Sequence, residues 1–398
     1  MGGAEEYLPA PFKPEEIQAL LDTISLGRPT SINSLKASAA FHAIYILTYE
    51  AKNLPAGLKT LYDTSSPFID LVLRISGDHV PAIKTENEAA TLSWISQHTS
   101  IPVPSVICYD TTTNNPLNRE YIVLTRSPGV TLSDVYDSLT QEQLDDICRQ
   151  LLKFLAEIHQ HSFAQIGGLM HSPTNPENII SGPILDEHFW FTPDVKRYFT
   201  TTDETFETLN IRGPFTSYTN FTIALMEKYI HAASVQKDLT FMRQHLPRLR
   251  AFCNILPTFA AQLDRTRIRL AHKDLHFANM LYDPSSNRIT GILDWEFAST
   301  VPFQIWDPVR AFLWNAKPGD ESYTEKYRLR DRFAEICREE DAMFLVNDAK
   351  FTSDIQEKMH NVSNMMRIIV TLIPRGQFVD RAPEFVKTLL ENLEAFGV

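Results

Sequence analysis

Residues 270–296 read LAHKDLHFANMLYDPSSNRITGILDWE, and this stretch decides the expected fold. It holds two short apolar runs, 280–282 and 289–293, separated by Asp-Pro-Ser-Ser-Asn, a composition typical of turns. We therefore predict a β-hairpin here. In a hairpin, the residue before the first strand lies beside the residue after the second strand. The pattern predicts that Asn279 and Asp294 are neighbours.

The same stretch predicts a site rich in oxygen ligands. Asp274 lies five positions before Asn279, on the loop that enters the same end of the hairpin. Two carboxylates and an amide oxygen are hard ligands of the kind that Mg²⁺ takes when it is shared with substrate phosphates. Asn279 and Asp294 suit the metal, which leaves Asp274 to accept a proton from an attacking hydroxyl. The alternative is that these residues only cap turns. That alternative explains any one of them taken alone, but it does not explain why all of them occur at this spacing.

Length and charge narrow the class of protein. The chain of 398 residues carries 49 Asp and Glu against 37 Lys and Arg, a formal net charge of −12. Nucleic-acid-binding proteins normally show a basic excess, so we expect no nucleic-acid partner. We find neither a signal peptide nor an apolar run of about 18 residues, and therefore expect a cytoplasmic protein without a membrane partner. The sequence leaves the oligomeric state open.

The cysteines do not suggest redox or zinc chemistry. They are scattered, without a CxxC pair or a neighbouring histidine cluster, which favours buried free thiols over a zinc site or a disulfide framework. The four are Cys108, Cys148, Cys253 and Cys337.

The N-terminal part of the chain shows strand and helix patterns in turn. Residues 68–75 (FIDLVLRI) alternate between an apolar face and a second face that carries Val72 and Arg74. This period of two predicts a half-buried strand. A helix is predicted at about 85–97 and a further strand at 121–125.

Beyond the last of these strands a Pro-Gly pair interrupts the pattern, and the composition becomes helical. We place a boundary near 124–129, between an N-terminal nucleotide-binding lobe (1–125) and a C-terminal catalytic and acceptor-binding lobe (126–398). Thr140 begins a capping-box pattern for a helix. An aromatic-rich insertion at about 162–236 is expected to be irregular and outside the core.

The motif H-x-D-L-x-x-x-N at 272–279, followed by I-L-D-W-E at 292–296, resembles the aminoglycoside phosphotransferase/choline kinase-like family, and its fungal branch in particular. The resemblance implies an α+β, bilobal protein-kinase-like fold, with a small strand-rich N-lobe and a large mainly helical C-lobe. It also implies transfer of the γ-phosphate of ATP, with GTP as the alternative, to a hydroxyl of a small molecule, assisted by Mg²⁺. The D-W-E ending favours this branch over protein kinases, which carry D-F-G.

The resemblance implies a role for each motif residue. Asp274 resembles the catalytic base, and Asn279 and Asp294 resemble the magnesium ligands. His272 resembles a loop histidine that packs and holds the metal-binding segment. For His276 and Glu296 we favour structural roles, with a proton relay and metal assistance as the respective alternatives; Glu296 ends the D-W-E motif.

The kinase-like pattern also requires a cation on an N-lobe strand, paired with an acid on the next helix. Arg74 is the candidate cation, Glu88 its expected partner, and Val72 would lie over the adenine. An arginine departs from the usual lysine, and its planar fork has a different geometry. Lys84 is the rival candidate. A surface arginine that only extends from its strand is the further alternative.

Two further nucleotide contacts are predicted, one to the phosphates and one to the purine. The phosphate-covering loop should lie at 38–42, which has small residues but no glycine. The purine would bind the backbone of the segment between the lobes, 124–127, which contains Leu124 and Arg126.

Two regions are candidates for acceptor binding. In the first, Asp186 and Glu187 could bind an amine and the aromatic residues at 189–191 could cover an apolar group. The second surrounds Trp306-Asp307 and Trp314. The alternative for the first region is an aromatic core with solvated acids. The identity of the acceptor is left open.

Two other functions compete with a small-molecule kinase. A non-catalytic, kinase-like nucleotide-binding or regulatory protein would explain the missing glycines and the arginine at position 74, but has no need to retain Asp274, Asn279 and Asp294 together. A protein kinase fits the D-W-E ending poorly.

Overall fold

The computed structural model describes residues 7–35, 41–59, 66–306 and 320–398. Its N-terminal lobe is built on a five-stranded antiparallel sheet in the order β1-β2-β3-β5-β4. The strands are β1 (Ser31–Leu35), β2 (His42–Glu50), β3 (Phe68–Ser76), β4 (Val106–Asp110) and β5 (Tyr121–Thr125). The helices of this lobe are α1 (Pro14–Thr23), α2 (Ala56–Lys59) and α3 (Ile83–His98).

Strand β3 has the predicted alternation. Leu71 and Leu73 are fully buried against α1 and the neighbouring strands, in the core of the N-terminal lobe. Val72 faces the other way and packs against a second core, which contains α3 and much of the C-terminal lobe. The period of two therefore separates an inner face from a face that looks toward the rest of the molecule.

The C-terminal lobe is mainly helical, so the α+β, two-lobed fold class is confirmed. Its α-helices are α4 (Leu132–Val135), α5 (Gln141–Gln160), α6 (Thr192–Tyr198), α7 (Phe206–Leu209), α8 (Tyr218–Val235), α9 (Leu246–Ile255), α10 (Ala260–Leu263), α11 (Phe303–Trp306), α12 (Asp320–Glu339), α13 (Phe344–Asn347), α14 (Asp354–Leu372) and α15 (Ala382–Leu393). Its short strands are β6 (Val130–Thr131), β7 (Gly168–Ser172), β8 (Asn175–Gly182), β9 (Ile268–Ala271), β10 (Met280–Asp283), β11 (Arg288–Ile292) and β12 (Ser299–Pro302).

Helix α5 begins at the predicted capping box. The Thr140 hydroxyl accepts a hydrogen bond from the backbone amide of Gln143 at 3.3 Å, and the Gln143 side chain accepts one from the amide of Thr140 at 2.9 Å. These bonds satisfy two donors that the first turn of a helix leaves free. Leu151, in the middle of the apolar face, is fully buried in the core that also holds β10 and β11.

The expectation that 162–236 is irregular and unnecessary to the core is wrong. This segment forms the β7–β8 hairpin and the 18-residue helix α8. Trp190 is only 1% exposed and packs in a core that it shares with α14 and α15. Some partners of these aromatic residues are far away in the sequence: the Arg375 guanidinium lies over the Trp190 ring, and Phe191 packs against Phe297. Local patterns carry no sign of these contacts.

Strand β5 ends at Thr125, and the next strand, β6, pairs with β10 in the C-terminal lobe. The division at 125/126 stays a prediction.

Among the described residues, no helix is both long enough and apolar enough to cross a bilayer. All four cysteines are free thiols, as predicted, and three of them are buried.

We predict that Trp190→Ala lowers the free energy of unfolding by about 3–5 kcal/mol, because truncating a buried aromatic side chain leaves a cavity. Ile180→Ala, in the same segment but 41% exposed, is the matched control. It should cost less than about 1 kcal/mol. Equilibrium urea unfolding measures both, and equal costs would show that the segment is peripheral to the core.

Candidate active site

The predicted hairpin is present as β10 and β11. Met280 pairs with Ile292, and the backbone amide of Leu293 donates to the carbonyl of Asn279 at 2.8 Å. This bond continues the ladder by one step beyond the strands. Asn279 and Asp294 therefore leave the hairpin at the same end, as the turn chemistry of the sequence predicts.

His272 connects the loop before the hairpin to the segment after it. Its Nε2 donates to the carbonyl of Leu293 at 2.7 Å, and its Nδ1 accepts from the amide of Asp274 at 3.3 Å. The ring is fully buried against Trp295, and burial lowers the pKa of His272, which favours this neutral, bridging form. These contacts are of the structural kind expected for this histidine.

Lys273 and Asp294, near the functional end of the hairpin, have left-handed backbone conformations. The φ angles are 72° at Lys273 and 66° at Asp294. Such angles are uncommon outside glycine and persist only where the surrounding structure holds them. The conformation of Lys273 sets the direction of Asp274, the next residue in the chain. Asp294 is itself left-handed, and this conformation sets the direction of its own side chain.

Asp274 is held by its neighbours and remains open to solvent. The Asn279 side-chain amide donates to the Asp274 backbone carbonyl at 2.9 Å and to Oδ2 at 3.2 Å. His276 Nε2 lies 3.4 Å from Oδ1. Burial on its own would raise the pKa of Asp274, but the hydrogen bond and charge of His276 lower it. The carboxylate is thus ionised at neutral pH and, with 46% of its side chain exposed, can accept a proton.

Arg74 reaches Asp294 from the N-terminal lobe. Its Nη2 donates to Asp294 Oδ1 at 3.0 Å and lies 3.2 Å from His42 Nδ1, while its Nη1 pairs with Glu88. The side chain is 11% exposed, so this is not a surface arginine. Burial would lower the pKa of Arg74, but Glu88 and Asp294 raise it, so the guanidinium keeps its charge.

The oxygen atoms around the hairpin end fit a magnesium ion that is shared with a substrate. Because Asn279 uses its Nδ2 to hold Asp274, its Oδ1 is the atom left for a metal, and Asp294 keeps Oδ2 beside the oxygen that binds Arg74. Within the described ranges, no group of three or more His, Cys, Asp and Glu side chains could hold a metal. Mg²⁺ commonly takes only one or two protein ligands and completes its shell with phosphates and water.

Two of the other predicted nucleotide residues, Val72 and Leu124, lie on the sheet face that continues toward Arg74. Val72 pairs directly with Leu124 across β3 and β5, so the two side chains share this face. Arg126 pairs with Asp70 at 2.6 Å and is half-exposed. The rival cation Lys84 lies in α3, fully buried, where its ammonium donates to the Ser76 hydroxyl. Of the expected phosphate loop, positions 38–40 lie outside the described residues.

The sequence did not predict the buried histidines beside Glu296. His42 Nε2 and His79 Nε2 each lie 3.6 Å from Glu296 Oε2. Burial lowers the pKa of both histidines well below the usual value and raises that of Glu296. Burial thus disfavours the charged form of each group, in an environment where isolated charges would be costly. Because Glu296 lies more than 200 positions from both histidines, no local signal predicts this cluster.

The first acceptor region differs from its predicted form. Asp186 already has partners, Lys273 Nζ at 2.9 Å and His188 Nδ1 at 3.0 Å. The aromatic residues at 189–191 are buried in the core, as the alternative held. Trp306 is also buried, whereas Asp307 and Trp314 lie outside the described residues. A cavity of about 320 Å³ opens beside Asp186, between this loop, α8 and α14.

A two-lobed fold with an Asp–Asn–Asp arrangement at a hairpin end is that of a kinase-like enzyme. The model of the phosphotransferase enzyme family matches residues 59–327, and the chain belongs to this family. Membership supports a phosphotransferase in general.

The relatives found among curated proteins include two fungal cluster proteins. A subtelomeric hrmA-associated cluster protein of Aspergillus fumigatus is 24% identical over 340 residues, which cover 75% of this chain and 67% of the relative. The clavilactone A biosynthesis cluster protein Y of Ampulloclitocybe clavipes is 28% identical over 228 residues, 55% of this chain and 50% of its own.

Solved structures similar to this chain include two aminoglycoside phosphotransferases. APH(4)-Ia has a TM-score of 0.48 at 14% identity, over 97% of this chain and 100% of its own. The ternary complex of APH(2″)-IIa with streptomycin and ATP has a TM-score of 0.48 at 12% identity, over 97% and 99%.

We predict that His360, in the wall of the cavity, makes the fold sensitive to acid. Burial, followed by the charge of Arg367, lowers its pKa from the usual 6.5 to about 4. Between these values the unfolded chain binds the proton and the folded chain does not, so the free energy of unfolding falls as the pH is lowered. This contribution is on the order of 3 kcal/mol.

His360→Gln should remove that contribution. Urea unfolding of the wild type and the variant at pH 7.5 and pH 4.5 measures it. We expect the variant to gain stability relative to the wild type at the lower pH. Parallel losses in the two proteins would contradict the prediction.

Proposed function

We propose that this protein is an ATP-dependent phosphotransferase that moves the γ-phosphate to a hydroxyl of a small molecule, with GTP as the alternative donor. The observation that carries the proposal is the meeting of Asp274, Asn279 and Asp294 at one end of the β10–β11 hairpin, with Arg74 bound to Asp294 from the other lobe. Family membership supports the same reaction type.

Asp274 would serve as the catalytic base. Its carboxylate is ionised, partly exposed, and fixed in direction by the Asn279 amide. A hydroxyl placed within hydrogen-bond distance would give its proton to this carboxylate as the oxygen attacks phosphorus. His276, which contacts the same carboxylate, keeps it oriented.

Asn279 and Asp294 would hold Mg²⁺ through Asn279 Oδ1 and the Asp294 carboxylate. A magnesium ion bound there would neutralise charge on the phosphates. Asp294 is positioned for this task by its left-handed backbone and by Arg74. The Asn279 side chain is positioned by the loop that carries Asp274. The distance and orientation between the base and the metal ligands would therefore stay constant.

Arg74 is assigned to the positioning of Asp294. Both of its terminal nitrogens are used by protein groups, Nη1 by Glu88 and Nη2 by Asp294 and His42. A bidentate clamp on a phosphate would require one of these partners to be exchanged. A single charge-assisted contact to phosphate is compatible with the geometry, since the guanidinium stays charged.

The nucleotide would lie between the lobes, with its base against Val72 and Leu124. These two side chains are neighbours on the sheet face that leads to Arg74. The backbone at 124–127 would bind the purine, and Arg126 lies at its exposed end. This arrangement assigns 1–125 to the nucleotide and 126–398 to catalysis and the acceptor, in a cytoplasmic protein.

A non-catalytic nucleotide-binding protein is the second candidate. The observation that favours it is the engagement of both terminal nitrogens of Arg74, at the position where the family resemblance expects a lysine for the phosphates. The two candidates differ in whether MgATP and a hydroxyl acceptor give a phosphorylated product. A metabolite screen by mass spectrometry for products that gain a phosphate separates them.

We predict that Asp274→Asn lowers the transfer rate by about 10²–10⁴-fold, because general-base catalysis typically contributes this factor. Nucleotide affinity should change little, since Asp274 is not assigned to the nucleotide. The rate is measured as ADP release with an acceptor found in the screen. Asp134→Asn, an exposed carboxylate on α4, is the control and should keep the wild-type rate. Full turnover by Asp274→Asn would show that another group is the base.

We predict that Asp294→Asn abolishes the metal-dependent part of nucleotide binding. In the wild type, MgATP at a hundred times its Kd should stabilise the fold by about 2.7 kcal/mol more than the protein alone. The variant keeps an oxygen for Arg74 but loses the charge that binds the metal. Thermal-shift titration with MgATP and with ATP plus EDTA compares the two proteins. Equal metal dependence would remove Asp294 from the ligand set.

A further inference from the structure

The cavity beside Asp186 lies next to the candidate base. Its lining includes Lys273, which directly precedes Asp274, and Glu187, whose pKa is raised first by burial and then by the charges of Asp186 and Asp274. Glu187 is therefore close enough to Asp274 to feel its charge. If the proposed phosphotransfer is correct, this cavity is where the acceptor would lie, and the inference below rests on that function.

The acidic groups of this cavity are not available to bind a cation. Asp186 is compensated by Lys273 at 2.9 Å and by His188 at 3.0 Å. Although burial would raise the pKa of Asp186, Lys273 holds it well below the usual range, as expected for an ion pair already made. Glu187 Oε1 lies 3.7 Å from His188 Nδ1, and burial raises the pKa of Glu187 while the charge of His188 lowers it.

The cavity also contains a cation that has no acidic partner among the described residues. Arg367, on α14, bonds through its guanidinium to the Asn364 side-chain oxygen, at 2.9 and 3.2 Å. Within the part of the chain that the structure describes, no carboxylate lies within 4 Å of it. A guanidinium has five N–H donors, so most of its capacity is unused. Arg367 also lies near enough to His360 to lower the pKa of that ring, after burial.

A second cation lines the same cavity. Lys228, on α8, donates to the backbone carbonyls of Glu207 and Thr208 at 2.7 and 3.0 Å. These are neutral acceptors, and among the described residues no carboxylate lies within 4 Å of the Lys228 ammonium. The lining also includes the aromatic side chains of Tyr218, Phe221 and Trp306. The cavity thus combines cationic and aromatic groups with Lys273, the residue that precedes Asp274.

We propose that the acceptor is a hydroxylated ring compound that carries an acidic group, with its carboxylate on Arg367 and its hydroxyl toward Asp274. A planar guanidinium binds a carboxylate through two parallel hydrogen bonds. Polycationic acceptors are disfavoured by the same charges. In the reaction, the hydroxyl O–H bond breaks and its proton passes to Asp274, a new O–P bond forms, and the bond from the γ-phosphorus to the bridging oxygen breaks to release ADP.

The charge preference can be measured without nucleotide or turnover. Three probes share a benzyl alcohol and differ only in the para group: 4-(hydroxymethyl)benzoate, 4-(hydroxymethyl)benzamide and 4-(aminomethyl)benzyl alcohol. Isothermal titration of the full chain should give the tightest binding for the benzoate and the weakest for the amine. A tighter amine, or equal affinity for all three, would overturn the proposal. Because no phosphate is transferred, failure of the proposed reaction leaves this ranking unaffected.

Variants then test the residue. Arg367→Met should weaken the benzoate about tenfold or more, since a hydrogen bond to a charged group contributes about 1.5–3 kcal/mol, and should leave the benzamide within about twofold. Arg367→Lys should keep part of the benzoate affinity. Arg330→Met, which removes a half-buried cation from α12, outside the cavity lining, is the control for net charge and should bind as the wild type does. An unchanged benzoate preference in Arg367→Met would overturn the assignment.

Discussion

The contact of the Arg74 guanidinium with Glu88 and Asp294 is the interaction on which the rest of the site depends. It joins a strand and a helix of the N-terminal lobe to the segment after the hairpin in the C-terminal lobe. The Glu88 side chain is only 2% exposed. Without the guanidinium its charge would be buried and uncompensated, which typically costs 3–5 kcal/mol. The pair therefore fixes the position of β3 relative to α3 and, through Asp294, the position of both relative to the hairpin.

Helix α3 supports the same connection through Asn87, the residue next to Glu88. The Asn87 side chain donates to the backbone carbonyls of Glu296 and Ala298 at 2.9 and 2.8 Å, and accepts from the amide of Leu169 at 2.7 Å. A buried amide with all these bonds made is worth more than one left partly satisfied. Charge pairing and amide bonding thus hold α3 against both sides of the cleft. The candidate metal ligands and the sheet face proposed for the nucleotide consequently keep a defined spacing, as a reaction that depends on positioning would require.

Much of the fold and the centre of the site could be predicted because their signals are local. The alternation of β3, the capping box at Thr140 and the turn composition of the hairpin each lie within about ten residues. The remaining features depend on contacts between distant parts of the chain. Arg74 and Asp294 are 220 positions apart, and Lys273 and Asp186 are 87 apart. The packing of Trp190 on C-terminal helices is of the same kind, which is why the segment around it was wrongly expected to lie outside the core.

The motif indicates the type of reaction, whereas the residues that line the cavity bear on which acceptor could bind. Asp274, Asn279 and Asp294 would serve a reaction that needs only a hydroxyl near the base, so they are compatible with many acceptors. Apart from Lys273, the side chains that line the cavity lie outside the motif, many of them on the 184–190 loop, α8 and α14. The formal charge of −12 for the whole chain is equally uninformative about the cavity, because Asp186 contacts Lys273 there, while no carboxylate of the described residues lies within 4 Å of Arg367. If the acceptor binds in this cavity, local pairing rather than total charge would determine which acceptor charge it accommodates.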